Sequence, residues 1–255
     1  MDEIRTRDPM ASGARTPRLA VLIDAENASA EIATGLFLEI AKIGEASVRR
    51  IYGDFSGTRL AGWANILATY AIVPFQNFSY TSRKNASDIA LVIDAMDLLH
   101  SGRFDGFCLV SSDSDFTRLA ARIREQGIDA YGFGERKTPA SFRQACRRFF
   151  YTENLLPKAL TPVRAVSQQE LPATALQALS SVTKLLRTAT VELDGEDGWV
   201  HLGQIGQRLA NLAPDFDPRI YGHAKLSALV KKTGAFEIKT EAGRGMFIRP
   251  TAETA

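Results

Sequence analysis

Four aspartates stand at positions where strands end or helices begin. Asp24 ends the apolar run of VLIDAEN, Asp113 and Asp115 follow the run of CLVSSDSDF, and Asp88 lies in the first turn of a predicted helix over Ser87–His100. In open α/β sheets, functional groups gather outside the carboxyl ends of the strands, where the strand order reverses. If the strands before Asp24 and Asp113 are neighbours, we expect the four carboxylates to meet at one edge of the sheet.

The chemistry that such a cluster predicts is the binding of a divalent cation. Four carboxylates in a low-dielectric cleft repel one another, and a bound cation relieves that repulsion. Oxygen ligands favour Mg²⁺ or Mn²⁺, whereas Zn²⁺ would want histidine or thiolate, and the three histidines are scattered along the chain. A metal held in this way activates water and neutralises the charge on a phosphodiester, so the predicted reaction is phosphodiester hydrolysis.

Each aspartate also has an interpretation that needs no metal. Asp24, Asp113 and Asp115 could cap the helices that follow them, and the helix dipole would favour Asp88 at a helix N-terminus. Asp94 interrupts the apolar helix ALVIDAMDLL, where an unpaired charge would be costly. For Asp94 we expect a basic partner or a supporting position behind the other four.

The elements that must position these aspartates alternate between strand and helix. Apolar runs of strand length are followed by segments with helical spacing. Examples are Arg18–Ile23 before ASAEIATGLFLEIAKIG, ASVRRIY before LAGWANILATY (residues 60–70), and IDAYGF before PASFRQACRR (residues 139–148). Parallel strands need crossover connections, which are usually helical. The alternation, which continues to Leu156, predicts an open, doubly wound α/β domain with a parallel sheet covered on both faces.

After Leu156 the pattern changes to that of a second, smaller domain. Residues 157–172 contain prolines, show no periodicity and predict a linker. Residues 173–250 then follow, with predicted helices over Thr174–Thr190, Leu202–Leu212 and Arg219–Lys232, a brief strand at Trp199–His201, and a closing hairpin of FEIKT, EAGRG and MFIRP. Three short helices followed by a two-stranded wing indicate a winged helix-turn-helix domain.

The first domain resembles the NYN domain. The segments IDAEN, RKNASDIALVIDAM and VSSDSDF have the order and spacing of that family, in the LabA-like branch of the PIN-like superfamily, and the similarity covers residues 18–156. The resemblance implies a Rossmann-like PIN-type fold and, in active members, a ribonuclease that depends on Mg²⁺ or Mn²⁺. The positions that match the family's metal-binding carboxylates are Asp24, Asp88, Asp113 and Asp115, and Asn27 matches the polar residue after the first of them.

The second domain resembles the OST-HTH (LOTUS) family. The strongest match is DPRIYGHAKLSALVKKTGAFEI, within a similarity that covers about residues 173–250. Asp217 is expected to cap a helix, and Pro218 suits the first position of that helix. The family implies RNA binding or the docking of a protein partner, and the balance of 10 basic to 10 acidic residues from Glu170 to Ala255 favours neither.

Basic residues follow the last acidic pair. From Arg18 to Asp115 the chain has 8 Lys+Arg against 12 Asp+Glu, whereas from Phe116 to Leu156 it has 8 against 4. The plain interpretation is two solvated faces, and the functional one is an acidic metal site beside a surface that holds a polyanion. On the functional interpretation, and with the matching positions of the winged helix, RNA contacts are expected from Lys84, Arg118, Arg122, Arg143, Arg147, Tyr221, Lys225 and Lys232.

Length and composition set further expectations. The chain has 255 residues, of which 45% are hydrophobic and 24% charged, and this suits two domains of common size. No apolar run approaches a membrane span, and residues 1–17 lack the apolar core of a signal peptide, so we expect a disordered tail and a soluble, cytoplasmic protein without membrane contact. Cys108 and Cys146 lack metal-ligand spacing and are expected to be reduced structural thiols. Neither pattern nor composition indicates an oligomeric state.

The resulting hypothesis is a metal-dependent endoribonuclease whose winged helix selects or anchors single-stranded or structured RNA. The alternative is a catalytically silent RNA-binding or scaffold protein, because a fold alone does not guarantee a rate. A phosphatase or receiver-like phosphoacceptor with Asp24 as nucleophile is disfavoured. A phosphatase of that kind wants a second Asp where Glu26 stands, and a receiver wants a Lys after the fifth strand, where Gly132–Gly134 stand.

Overall fold

Six strands among the described residues form the sheet of the N-terminal domain. The structure is a computed structural model that describes residues 15–77, 86–156, 173–191, 193, 198–241, 243 and 245–251. The strands are β1 (Arg18–Asp24), β2 (Glu45–Gly53), β3 (Val73–Gln76), β4 (Gly106–Val110), β5 (Asp129–Gly134) and β6 (Arg148–Tyr151). All neighbours are parallel, and the spatial order is β3-β2-β1-β4-β5-β6. The order reverses between β1 and β4, which are neighbours as the convergence of the aspartates requires.

Helices cover both faces of this sheet. They are α1 (Ala33–Ile40), α2 (Ala61–Ala64), α3 (Ala86–His100), α4 (Thr117–Glu125) and α5 (Ala140–Ala145). Alternate residues of β1 enter different buried clusters, because successive side chains of a strand point to opposite faces. Leu22 packs in the cluster that holds α3, α4 and α5, and Val21 packs in the cluster that holds α1 and α2. The doubly wound α/β architecture predicted from the alternation is confirmed.

Two elements of this domain differ from the sequence-based prediction. The helix expected over residues 139–148 ends at Ala145, and β6 follows as a sixth strand. Phe149 and Phe150 of β6 are buried in the clusters on opposite faces of the sheet. The packing of these two side chains therefore stabilises the strand. The helix expected over residues 60–70 is reduced to the single turn of α2, which is anchored by Trp63, since its indole Nε1 donates to the carbonyl oxygen of Ala28 at 2.8 Å.

The described part of the C-terminal domain combines three α-helices with a small antiparallel sheet. Its elements are α6 (Ala173–Val191), β7 (Val200–His201), α7 (Leu202–Leu212), α8 (Leu226–Thr233), β8 (Phe236–Glu241) and β9 (Gly245–Pro250), with the strand order β7-β9-β8. The helix predicted over Arg219–Lys232 is broken in two. A 3-10 helix over Pro218–Tyr221, capped by Asp217 as expected, ends at Gly222, which has a left-handed φ of 78°. Continuing the helix through a left-handed residue is unfavourable, so α8 begins again at Leu226.

The predictions for membrane spans, the two cysteines, the linker and the N-terminal tail can also be compared with the structure. Among the described helices, none combines the length and the apolar character that a bilayer crossing requires. Cys108 and Cys146 are free and buried, and burial raises the pKa of the Cys146 thiol to about 12. The expected linker over residues 157–172 lies outside the described residues, as do residues 1–14 of the expected tail.

Gly35 packs directly against the backbone of Leu155, so a larger residue does not fit at this position. It lies in α1, and a Cβ atom at this position would stand 2.0 Å from the carbonyl oxygen of Leu155. We expect Gly35→Ala to lower the free energy of unfolding by about 1–3 kcal/mol, because overpacking exceeds the helix-propensity gain of alanine. The melting temperature measures this effect. Gly57→Ala is the matched control, since a Cβ there meets nothing within 4 Å, and equal melting temperatures for both variants would contradict the packing.

Candidate active site

The carboxyl ends of β1 and β4 bring Asp24 beside the loop that carries Asp113. Ile23 and Val110 are register partners in the two strands, and Asp24 and Ser111 are the next residues along each chain. Asp24 is 1% exposed and Ser111 is 2% exposed. A carboxylate so deeply buried is tolerated only where donors satisfy its oxygens.

Four donors converge on the Asp24 carboxylate. The side-chain amide of Asn27 and the hydroxyl of Ser111 each donate to Oδ2 at 2.8 Å. The backbone N–H groups of Glu26 and Asn27 donate to Oδ1 at 3.0 and 3.3 Å. Burial raises the pKa of Asp24, and these hydrogen bonds oppose that rise. Ser29 caps the helix that follows, so Asp24, the last residue of β1, is not the N-cap of that helix.

Asp113 and Asp115 lie in the loop after β4. Asp113 caps a short 3-10 helix over Ser114–Phe116, because its Oδ1 accepts from the backbone N–H of Asp115 at 2.9 Å. Capping occupies one oxygen of Asp113 and leaves further acceptor sites on the carboxylate. The backbone N–H of Asp113 in turn donates to the Ser111 hydroxyl at 3.0 Å. Ser111 therefore links the Asp113 loop to Asp24, whereas Asp115 is exposed.

Asp88 adds a carboxylate from a third element. It lies half-buried in the first turn of α3. Burial raises the pKa of Asp88, and the negative charges of Asp24, Asp113, Glu26 and Asp115 add to the effect, which brings it from the ordinary 3.8 to about 7. The other three aspartates predicted from the sequence thus lie close enough to Asp88 for their charges to make its ionisation less favourable.

The donor chemistry of this neighbourhood fits a divalent cation. Carboxylates are the oxygen ligands that Mg²⁺ and Mn²⁺ prefer, and their accumulated charge favours a cation. In the part of the chain that the structure describes, no three His, Cys, Asp or Glu side chains form a closed group that could hold a metal ion. In the structure, protein donors bind oxygens of Asp24 and Asp113.

Three residues of this site were missed by the sequence-based reasoning. Ser111 orients Asp24, and Glu26 contributes to the negative charge around Asp88. Arg59 forms an ion pair with Glu26 at 2.8 Å between Nη2 and Oε1. The signal for Ser111 and Glu26 was their position directly after the two strands, but Arg59 lies after β2 and only the tertiary structure brings it to Glu26.

Asp94 has the basic partner that its place in an apolar helix required. Its carboxylate forms an ion pair with Arg50 and accepts a hydrogen bond from the hydroxyl of Tyr52. The Arg50 guanidinium lies 5.1 Å from the ring centroid of Phe75. Burial and the hydrogen bond to Asp94 raise the pKa of Tyr52. These contacts satisfy the charge of Asp94 and fix α3, which carries Asp88, against β2.

The arginines expected to contact RNA separate into two groups. Arg118 and Arg122 lie on the solvent side of α4, and Arg122 forms an ion pair with Glu125 at 3.3 Å. Arg143 is paired with Asp215 of the C-terminal domain, and Arg147 is paired with Asp129. The charge of Arg143 is therefore neutralised by an ion pair between the domains. This differs from the phosphate contact that the sequence predicts for Arg143. Lys84 lies outside the described residues.

The expected RNA contacts of the winged helix differ in their exposure. Lys225 precedes α8 and Lys232 lies in its last turn, and both side chains are exposed. Tyr221 is partly buried with its ring 6.1 Å from that of Phe216, and burial raises its pKa. The two lysines can reach a ligand from solvent, whereas Tyr221 belongs in part to the packing of its domain.

Two family models match the chain. The NYN domain matches residues 18–156, and the OST-HTH/LOTUS domain matches residues 177–248. Both families are those that the sequence motifs resemble. No curated protein matches the chain.

Two solved structures are similar to parts of the chain. A crystal structure of a protein of unknown function from Vibrio parahaemolyticus has 18% identity and a TM-score of 0.47, and the match covers 57% of this chain and 99% of that one. A solution NMR structure of an uncharacterized protein from Nitrosomonas europaea has 28% identity and a TM-score of 0.27, and the match covers 39% of this chain and 94% of that one.

Proposed function

Since this chain belongs to the NYN domain family, we propose that it is a metal-dependent endoribonuclease that hydrolyses RNA phosphodiesters. NYN domains are generally nucleases, and OST-HTH domains bind RNA. The single observation that carries the proposal is the gathering of carboxylates at the carboxyl ends of β1 and β4, with Asp88 raised in pKa to about 7 among them. Such a gathering costs stability unless it serves a cationic ligand.

The residues of the cluster have distinct roles in this proposal. Asp24, Asp88, Asp113 and Asp115 hold Mg²⁺ or Mn²⁺, which when bound activates water and neutralises charge on the phosphodiester. Asn27 and Ser111 orient the Asp24 carboxylate through the two hydrogen bonds to Oδ2. Arg118, in the first turn of α4 just after Asp115, is the residue that we propose contacts a neighbouring phosphate.

The two domains divide the work on RNA. We assign residues 18–156 to hydrolysis, residues 157–172 to a linker and residues 173–250 to anchoring or selecting the RNA, with Lys225 and Lys232 as its exposed cations. The C-terminal domain is also the surface through which a protein partner would dock. The cytoplasm is the compartment in which we expect the enzyme to act.

Incubation of the protein with end-labelled single-stranded RNA tests the proposed activity. Cleavage is expected with Mn²⁺ or Mg²⁺ and not with EDTA, and Asp113→Asn is expected to lose it. Asparagine is as good a helix cap as aspartate, so this variant removes the charge while it keeps the cap. Asp97→Asn on the exposed side of α3 is the matched control. RNA that stays intact with metal, while the protein binds it, would establish the non-catalytic RNA-binding alternative instead.

A further inference from the structure

A cleft of about 470 Å³ separates the two domains. The α/β domain contributes Lys42, Tyr131 and Arg148 to its lining, and the winged helix contributes Gln207, Asn211 and Phe216. We propose that this cleft binds a short segment of single-stranded RNA, as an anchoring site separate from the carboxylate cluster. The identity of the ligand as RNA rests on the proposed function.

A backbone contact holds one side of the cleft together. β6 is the edge strand of the sheet, and the backbone N–H of Phe149 in β6 donates to the carbonyl oxygen of Pro214 at 2.7 Å. Asp215 follows, and its carboxylate pairs with Arg143 and accepts from the Tyr151 hydroxyl at 2.8 Å. The segment after α7 therefore covers part of an edge that would otherwise be unpaired, and it joins the two domains beside the cleft.

A charged network fixes the other side. Arg219 pairs with Asp217 at 2.6 Å and with Glu39 of α1 at 3.4 Å. Asn154 also donates to Asp217 at 3.3 Å. Glu39 is 8% exposed and accepts from Lys42 Nζ at 2.8 Å. One lining cation is thus positioned by the same network that docks the domains, so the cleft exists only when both domains are in place.

The charge of the lining favours a phosphate. Among the described residues that line the cleft, Lys42, Arg147 and Arg148 are cations and none is an acid. Lys42 and Arg147 share their charge with Glu39 and Asp129. Arg148 lies over the ring of Phe150, 4.6 Å from its centroid, and has no carboxylate partner among the ion pairs of the described residues. Arg148 is therefore the cation best placed to pair with an incoming phosphate.

The opposite wall offers the groups that recognise unpaired bases. Gln207 and Asn211 lie one turn apart on α7, and their amides can both donate and accept hydrogen bonds at base edges. Phe216 supplies aromatic surface from the same wall, and Tyr131 adds a ring from the wall of the α/β domain. A cationic wall facing amides and aromatic rings is the combination that binds single strands, because it contacts the backbone and the exposed bases together.

The cleft lies far from the carboxylate cluster. Lys42 precedes β2 and Arg148 begins β6, so the cleft is near the amino ends of the strands, whereas Asp24 ends β1. A seven-residue strand such as β1 spans roughly 20 Å. RNA in the cleft would consequently be held at a distance from the site of cleavage, and its loss should affect binding rather than the hydrolytic step.

Binding of fluorescein-labelled single-stranded RNA of roughly 12 nucleotides, followed by anisotropy in EDTA, tests this site on the full chain without hydrolysis. Arg148→Ala is expected to weaken binding about fivefold and to reduce the slope of log affinity against log salt by about 0.7, the value for one phosphate contact on a single strand. Gln207→Ala is expected to weaken binding about threefold without a change in slope, because it removes a neutral contact.

Arg103→Ala is the matched control for the charge. Arg103 is an exposed arginine near the amino end of β4, it lies 5.7 Å from the ring centroid of Phe104, and it does not line the cleft. Wild-type binding by Arg148→Ala and Gln207→Ala, or equal losses in Arg148→Ala and Arg103→Ala, would overturn the proposal, as would a wild-type chain that binds no RNA. If the protein fails this binding test but still cleaves RNA, the cleft proposal is wrong and the nuclease proposal is supported. If the expected binding pattern is found without any cleavage, the cleft proposal is supported and the nuclease proposal is wrong.

Discussion

Asp24→Asn is expected to lower the rate of metal-dependent RNA cleavage by at least about 100-fold, the scale of losing one charge-stabilising group in an active site. The substitution keeps the size of the side chain but removes its charge. It also places an NH₂ donor where one carboxylate oxygen accepts hydrogen bonds, facing donors from Asn27 and Ser111 or from the backbone. The measurement is the initial rate on end-labelled RNA at saturating Mn²⁺, with the melting temperature recorded to show that the variant is folded.

Ser111→Ala gives a graded comparison for Asp24→Asn. It removes one of the donors to Asp24 Oδ2 and the acceptor for the Asp113 backbone N–H, but it leaves every carboxylate in place. Loss of a supporting group of this kind lowers metal affinity or activity by about 10–100-fold. If the Asp24→Asn variant cleaves RNA as fast as the wild type, Asp24 takes no part in catalysis and the site at the carboxyl end of β1 is not the active site.

Asp88→Asn is expected to stabilise the metal-free protein at about pH 8 and to abolish its stabilisation by Mn²⁺. In the folded protein the pKa of Asp88 is raised from the ordinary 3.8 to about 7. The folded state therefore holds this proton more tightly than the unfolded state, and the free energy of unfolding falls as the pH rises from about 4 to about 7. Above that window the repulsion among the carboxylates is fully present, and asparagine removes it.

The expected gain in stability from Asp88→Asn is limited by the partial exposure of the Asp88 side chain. A rise in pKa from 3.8 to about 7 corresponds to about 4 kcal/mol for a fully buried group. Solvent reaches the half-buried Asp88 side chain, so we expect about 1–2 kcal/mol, or roughly 3–8 °C in melting temperature. Thermal unfolding in EDTA between about pH 5 and pH 8 measures it.

The matched control for Asp88→Asn is Asp97→Asn on the same helix, at an exposed position. It should change neither the pH dependence nor the response to Mn²⁺. An Asp88→Asn variant that melts no higher than the wild type at about pH 8 in EDTA would show that the repulsion is weak. A variant that Mn²⁺ still stabilises as strongly as the wild type would show that Asp88 is not a ligand.

Local patterns were sufficient for most elements of the fold. The apolar run that becomes β1 predicts a strand buried on both faces. The amphipathic spacing in α4 and α7 predicts helices buried on one face, because the spacing of apolar residues along the chain shows which faces are buried. The capping pair of Asp217 and Pro218 was also recognisable. The sixth strand was not, because Arg147 and Arg148 continue a helical pattern locally, and only the packing of Phe149 and Phe150 on opposite faces makes the segment a strand.

The sequence by itself determined which side chains could do chemistry, since the type of each aspartate and its place after a strand or at the start of a helix are local properties. The tertiary structure decided which of them meet. The adjacency of β1 and β4 joins Asp24 to Ser111 and the Asp113 loop across 87 residues. It also decided that Arg143 pairs with Asp215, 72 residues away, instead of remaining free for a phosphate. Charges interact through space, and distances between remote segments are fixed only by how the elements pack.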